Sequence, residues 1–193
     1  MGIASPGDAL ALVELDSIAR GWRALDALVK EAPVTVLEAN LVEPGHYLIL
    51  FGGGVEETDR ALAKALEIGA DAVRERVFLP FAHPRVWACL SGQESLQDVD
   101  CVGIVEGRAV APTILAADAA VKEADVSLCA LRLTPALGGK AYFVLTGAQH
   151  DVEAAVSSAV ARLEGRLHRA ELIPRAHPEF LAHALRRAPF GAT

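Results

Sequence analysis

Paired carboxylates, paired histidines and three cysteines are the residues of this chain whose types and spacing bear on chemistry. Glu14 and Glu106 each interrupt an apolar run, ALALVEL and CVGIVEG. General acid–base work needs a partner within hydrogen-bond reach of the carboxyl, and nothing in the sequence places one there. An inter-strand or capping hydrogen bond is therefore expected of both. His83 and His177 each precede a proline. As metal ligands they lack a second His or Cys at ligand spacing, so local capping or packing is expected. Cys89, Cys101 and Cys129 lie too far apart for a CxxC pair. Their odd, sparse count fits a reducing compartment and argues against a disulfide scaffold or a thiolate zinc site. Cys129, within an apolar run, reads as inert core. The glycines at 52–54 are not followed by Lys-Ser/Thr, which sets a phosphate loop aside. These residues contain no nucleophile–base pair, no metal set and no cofactor fingerprint. No enzyme activity, metal or cofactor is expected.

Composition narrows the class further. The chain has 193 residues, 52% hydrophobic and 22% charged, enough apolar surface for a packed core. Its formal charge is -7, and only Arg186 and Arg187 adjoin among the cationic residues. Nucleic-acid binding needs clustered Lys and Arg, so no nucleic-acid partner is expected. No run reaches the roughly 18 apolar residues of a membrane span, and the N-terminal MGIASPGDALAL lacks a basic n-region. The expectation is a soluble cytoplasmic protein with no membrane partner.

The elements that must position these residues come in two sets. Residues 12–34 match residues 104–126 at an offset of 92, including Glu14/Glu106, Asp26/Asp118, Lys30/Lys122 and the shared VKEA. The offset then becomes 94, aligning Gly45/Gly139, Pro80/Pro174 and the two AHP strings, His83/His177 among them. Each copy reads as strand (9–15), helix (17–31), strand (34–41), turn at Glu43-Pro44-Gly45, strand (46–51), helix (55–73), strand (77–79) and a short helix starting at Pro84, with Pro178 its counterpart. Ile18, Trp22, Leu25 and Val29 share one helical face in the first copy, as do Val110, Ile114, Ala117 and Val121 in the second. The Pro-Gly and Gly138-Gly139 pairs are turn chemistry for hairpins. The order predicts an α/β (α+β) fold of two tandem ferredoxin-like βαββαβ domains, at 8–90 and 101–188, joined by the polar linker 91–100.

With these strings in view a resemblance is specific. VKEADVSL, GGKAYFVLTG and IPRAHP resemble the bacterial microcompartment (BMC) shell domain, and two complete, non-permuted copies resemble its tandem, trimer-forming class. SIARGW, EPGHYLILFGG and CVGIVE are similar to the T-type members of propanediol-utilisation compartments. The resemblance covers about residues 9–185. It implies a structural shell protein forming homotrimeric pseudohexagons that tile edge to edge with other shell proteins around encapsulated enzymes. It implies a central metabolite pore lined by Glu43, Pro44, Gly45 and His46 from one copy, and by Pro135, Ala136, Leu137, Gly138 and Gly139 from the other. Lys30, Lys122, Arg175, His83 and His177 are implied at the tile edge, with Phe81 where the first copy should repeat Arg175. Some T-type members place a cluster-binding Cys before the first Pro-Gly. This chain has Glu43 there, so no iron–sulfur cluster is expected. Two other functions fit the residues by themselves: an oligomeric small-molecule-binding regulatory module, and an enzyme at a subunit interface.

Overall fold

A strand that is apolar on both faces belongs at the centre of a sheet. β1 (Ala9–Leu15), buried along its whole length, takes that place in the computed structural model, which describes residues 7–92, 99–133 and 139–180. α1 (Ile18–Glu31) follows, its first turn capped by the Ser17 hydroxyl, which accepts from the Arg20 N–H at 3.3 Å. β2 (Thr35–Val42) and β3 (His46–Gly53) form the expected hairpin across Glu43–Gly45. Next come α2 (Val55–Gly69), a 3-10 turn (Ala70–Ala72), β4 (Val73–Leu79) and α3 (Pro84–Leu90). The second half repeats the series as β5 (Cys101–Gly107), α4 (Val110–Glu123), β6 (Ser127–Arg132), β7 (Ala141–Gly147), α5 (Gln149–Leu163), a 3-10 turn (Glu164–Arg166) and β8 (Leu167–Pro174). The two antiparallel sheets have orders β2-β3-β1-β4 and β6-β7-β5-β8, the same permutation twice.

The boundaries differ from the sequence reading at one joint. The second helix stops at Gly69 instead of running to 73, and the fourth strand starts at Val73. Ala70 and Glu164, 94 positions apart, both take positive φ there, at 47° and 45°. β4 and β8 are longer than their apolar cores suggest because each is an edge strand whose polar residues, such as Arg74 and Arg76, face solvent.

The larger difference concerns helix faces. α1 buries Gly21, Ala24 and Leu28. Gly21 is required there: a Cβ would lie 2.5 Å from the Tyr47 ring, so its absence lets the helix close on β3. The apolar stripe read from the spacing points elsewhere. Leu25 is partly buried, but Ile18, Trp22 and Val29 are exposed, Trp22 at 66%. The equivalent residues of α4, namely Val110, Ile114 and Val121, are all buried, Ile114 at 0%.

The reason is packing between the two domains. The outer face of the first sheet, with Leu10, Leu12, Leu48, Leu50, Val77 and Leu79, shares one apolar core with α3 and α4. α4 lies against β1 and β4 of the other domain as well as against its own sheet, so it is apolar on both sides. Polar groups clasp this seam. Asp118 Oδ1 accepts the His83 N–H at 2.8 Å, and its other oxygen lies 2.6 Å from Lys122 Nζ. Lys122 also donates to the Phe81 carbonyl at 2.7 Å. Arg85 donates to the Val126 carbonyl at 2.7 Å and to Asp125 at 2.6 Å. Arg166 pairs with Glu75 across the same seam.

Asp118 is 4% exposed and satisfies two donors. Removing one member of a buried charged network leaves its partners unmet. Asp118→Ala should therefore lower stability by about 3 kcal/mol, read as a fall in the urea midpoint. Asp118→Asn, which keeps an acceptor for His83, should cost less.

Candidate functional site

The β2–β3 turn is short because Pro44 and Gly45 supply it. Gly45 has φ 103°, a left-handed conformation that favours glycine, and its N–H closes the turn on the Val42 carbonyl at 3.0 Å. Glu43, Pro44 and Gly45 are exposed at the tip, while His46 at the root is half-buried. There the expected inter-strand bond appears: Glu14, 6% exposed, brings Oε1 to 2.6 Å from His46 Nδ1. Two features noted separately in the sequence, the buried glutamate and the turn histidine, thus form one anchor for the hairpin.

The second turn spans β6 and β7. Pro135, Ala136, Leu137 and Gly138 lie outside the described residues; Gly139 is described, with φ 78°. It abuts the first turn: a Cβ on Gly139 would stand 3.1 Å from the Glu43 carbonyl oxygen. Turns 94 positions apart in sequence therefore meet. Lys140, next in line and equivalent to His46, does not repeat the glutamate pairing. Its ammonium lies 3.3 Å from His168 Nε2 on β8, within its own sheet.

The remaining candidates cluster around the seam and the α3 start. His83 caps α3 through Nδ1, which accepts the Arg85 N–H at 3.2 Å. His177 makes the equivalent bond to the Glu179 N–H at 3.1 Å, on an exposed turn. Lys122 sits at the rim of the seam, and Lys30 is exposed and pairs with Asp26 at 2.6 Å. Arg175 is exposed on the turn after β8, with its N–H on the Asp100 carbonyl at 2.6 Å. Sequence reasoning did not select Asp118, Arg85 and Asp125 as site residues. The Asp26/Asp118 identity between the copies was the available signal for the first; Arg85 has no counterpart, because Glu179 stands at its position.

The cysteines are buried and unpaired with one another. Burial raises the Cys101 thiol pKa, and the charges of Asp100 and Glu153 push it further the same way. Among the described residues no group of His, Cys, Asp and Glu is placed to hold a metal ion, and no helix is long and apolar enough to cross a membrane.

His83 supplies a pH test. Burial lowers its pKa, and the Arg85 cation adds to that, against the opposing pull of Asp118. Protonation also removes the acceptor that caps α3. The unfolded chain then takes up the proton first as pH falls. Stability should be full above about pH 6.5, the reference histidine value, and decline as pH drops below it. His83→Asn keeps a capping acceptor and should flatten that decline, measured as the urea midpoint between about pH 5 and 7.5.

The chain matches the BMC domain family at residues 9–81 and again at 101–176. It is 37% identical over 171 residues to the bacterial microcompartment shell protein PduT of Citrobacter freundii, covering 88% of this chain and 93% of that protein. A crystal structure of a microcompartment protein from Desulfitobacterium hafniense superposes with a TM-score of 0.83 at 35% identity, over 93% of this chain and 99% of the other. A fused permuted hexameric shell protein from the RMM microcompartment shares the fold, with a TM-score of 0.58 at 21% identity over 79% of this chain and 80% of that one. Two matches in series, each a complete four-stranded unit in the same strand order, make this chain a tandem member of the bacterial microcompartment domain family.

Proposed function

We propose that this protein is a structural shell tile of a bacterial microcompartment: a homotrimer of pseudo-sixfold shape with a central pore for small metabolites. The observation that carries this reading is the meeting of the two hairpin turns at Gly139 and the Glu43 carbonyl. Turns from both domains side by side at one end of the chain are what a ring of repeated wedges needs to line a shared axis. Two similar domains per chain supply six similar wedges in a trimer, and a closed ring leaves no wedge face unpaired. The pore lining is then Glu43, Pro44, Gly45 and His46 with Pro135 to Gly139. Its role is structural and its partners are further copies, other shell proteins and the encapsulated enzymes. Lys30, Lys122, Arg175, His83 and His177 lie at the tile edge in this reading. The edges alternate, because Phe81 replaces the second arginine and is itself 66% exposed. The tile belongs in the microcompartment shell within the cytoplasm.

Light scattering should give a trimer of the 20.3 kDa chain, and negative-stain microscopy should show flat hexagonal discs or sheets. A monomer at micromolar concentration, or discrete globules whose melting shifts with a small ligand, would overturn the tile. Lys30→Ala and Arg175→Ala should weaken sheet growth and leave the trimer intact, since exposed ion pairs contribute only about 0–1 kcal/mol to stability.

The charge of the pore follows from Glu43. Three carboxylates around one axis favour cations and oppose anions. Lys140 supports this sign, because its ammonium is engaged at His168. Passage of a matched anion and cation through assembled sheets should differ in the native protein and converge in Glu43→Gln. Equal passage in both would remove Glu43 as the determinant.

A further inference from the structure

The two sheets treat the basic side chains at their turn ends differently. In the first, two of them meet carboxylates: His46 Nδ1 lies 2.6 Å from Glu14, and Arg74 on β4 pairs with Asp16. The equivalents in the second sheet are Lys140 for His46 and His168 for Arg74, with Glu106 and Arg108 in place of the two acids. Arg108 reverses the charge of Asp16 and donates to the Leu167 carbonyl at 3.1 Å. Lys140 and His168 are left with each other, Nζ to Nε2 at 3.3 Å, and among the described residues no carboxylate pairs with Lys140. An ammonium can only donate. Nε2 therefore accepts, and the proton of a neutral imidazole sits on Nδ1. That atom is buried and meets no acceptor among the described residues. A buried donor without an acceptor is costly, so it is the ammonium at Nε2 that fixes the ring in this tautomer.

We propose that His168 is the positioning residue that keeps the Lys140 ammonium out of the pore, and thereby leaves the pore's charge to Glu43. Lys140 directly follows Gly139, where a Cβ would stand 3.1 Å from the Glu43 carbonyl oxygen, so its side chain starts at the junction of the two turns. The lysine stem is long and flexible. An ammonium freed from the imidazole seeks water in preference to apolar surroundings, and the exposed turn tips, where Glu43 stands, are the nearest solvated part of the hairpin. In a trimer, three ammonium groups beside three carboxylates cancel the field that favours cations. One neutral acceptor at 3.3 Å holds the lysine back, with no ion pair behind it, so a single substitution at His168 releases it. The first hairpin has no such release, because its basic group is held by a buried carboxylate. This assignment rests on the pore of the proposed function, and names the residue that protects its selectivity.

Two measurements on the full-length protein test it, and the first needs no pore. Long-range proton–nitrogen correlation NMR of histidine-labelled protein should show His168 as the Nδ1–H tautomer, its signal identified by loss in His168→Gln. Lys140→Met should abolish that tautomer preference. A native His168 carrying its proton on Nε2 would overturn the contact and the proposal. The second is passage of a matched anion and cation through assembled sheets. His168→Ala should lose the cation preference of the native sheets. His168→Gln, whose carbonyl keeps an acceptor for the ammonium, should retain it. Lys140→Met added to His168→Ala should restore it, a rescue that a merely structural role of His168 would not give. An undiminished preference in His168→Ala, the ammonium having moved to Glu106 as His46 does to Glu14, would overturn the proposal. So would a double variant no more selective than His168→Ala. Native sheets without a cation preference would overturn the Glu43 pore and the selectivity role of His168 with it, whatever tautomer the ring adopts.

Discussion

A duplicated domain that packs head-to-tail can cover only one of its two equivalent seams within the chain, and the rest of this structure depends on that constraint. α4 is buried on both sides because it serves its own sheet and the outer face of the first. That double duty explains its composition. Ala111, Ala116, Ala117 and Ala120 keep it thin enough to sit between two apolar layers. α1 has the same ancestry by sequence but a single layer beneath it, so Leu28 and Ala24 face inward and charged Arg23 and Lys30 stand outside. The polar clasp then fixes the domains' relative position. Asp118 is held by a backbone N–H from the other domain, which ties the seam to the start of α3.

The hairpin turns inherit their placement from this arrangement. Each turn joins an edge strand to its central neighbour, β2–β3 or β6–β7, and the two sheets share one strand order. Fixing the sheets against each other through α4 brings the turns together. Gly139 matters at that junction for two reasons: it takes positive φ, and it leaves room beside the Glu43 carbonyl. The first turn is further held at its root by Glu14 and His46, a pair spanning β1 and β3. A carboxylate buried at the end of an otherwise apolar strand is costly unless it is paired, so the hairpin and the strand stabilise each other.

The fold was legible in the sequence because two features survive duplication well: turn residues and apolar strand runs. VKEA, the turn glycine (Gly45 and Gly139) and the AHP string recur in order, and VKEA ends a helix in both copies of the structure. The pairing of Glu14 across strands was legible as a type of contact, though not its partner. What periodicity did not reveal is which side of an amphipathic helix is covered. Ile18, Trp22 and Val29 satisfy the spacing of a core face as well as Val110, Ile114 and Val121 do, because the spacing records an apolar face and not its occupant. The seam clasps were illegible for a different reason. Arg85 reaches Asp125 over 40 positions, and Lys122 reaches the Phe81 carbonyl over 41, so no local pattern carries them.

Differences between the copies fall both in the cores and where the copies have different neighbours. Within the cores the substitutions stay apolar but change volume, as with Leu28 against Ala120. Around the seam within the chain they change chemistry: buried Ile114 against exposed Trp22, Arg85 against Glu179, Phe81 against Arg175. A seam inside one chain is closed by covalent connection and tolerates small residues backed by a cationic bridge. The same reasoning applies to His46 and Lys140. One hairpin root holds a histidine against a buried carboxylate, the other a lysine against His168. A single-domain ring would have to repeat one choice six times. Duplication lets the sequence set the two helix faces and the two turns independently, while the shared strand order keeps both domains in one geometry.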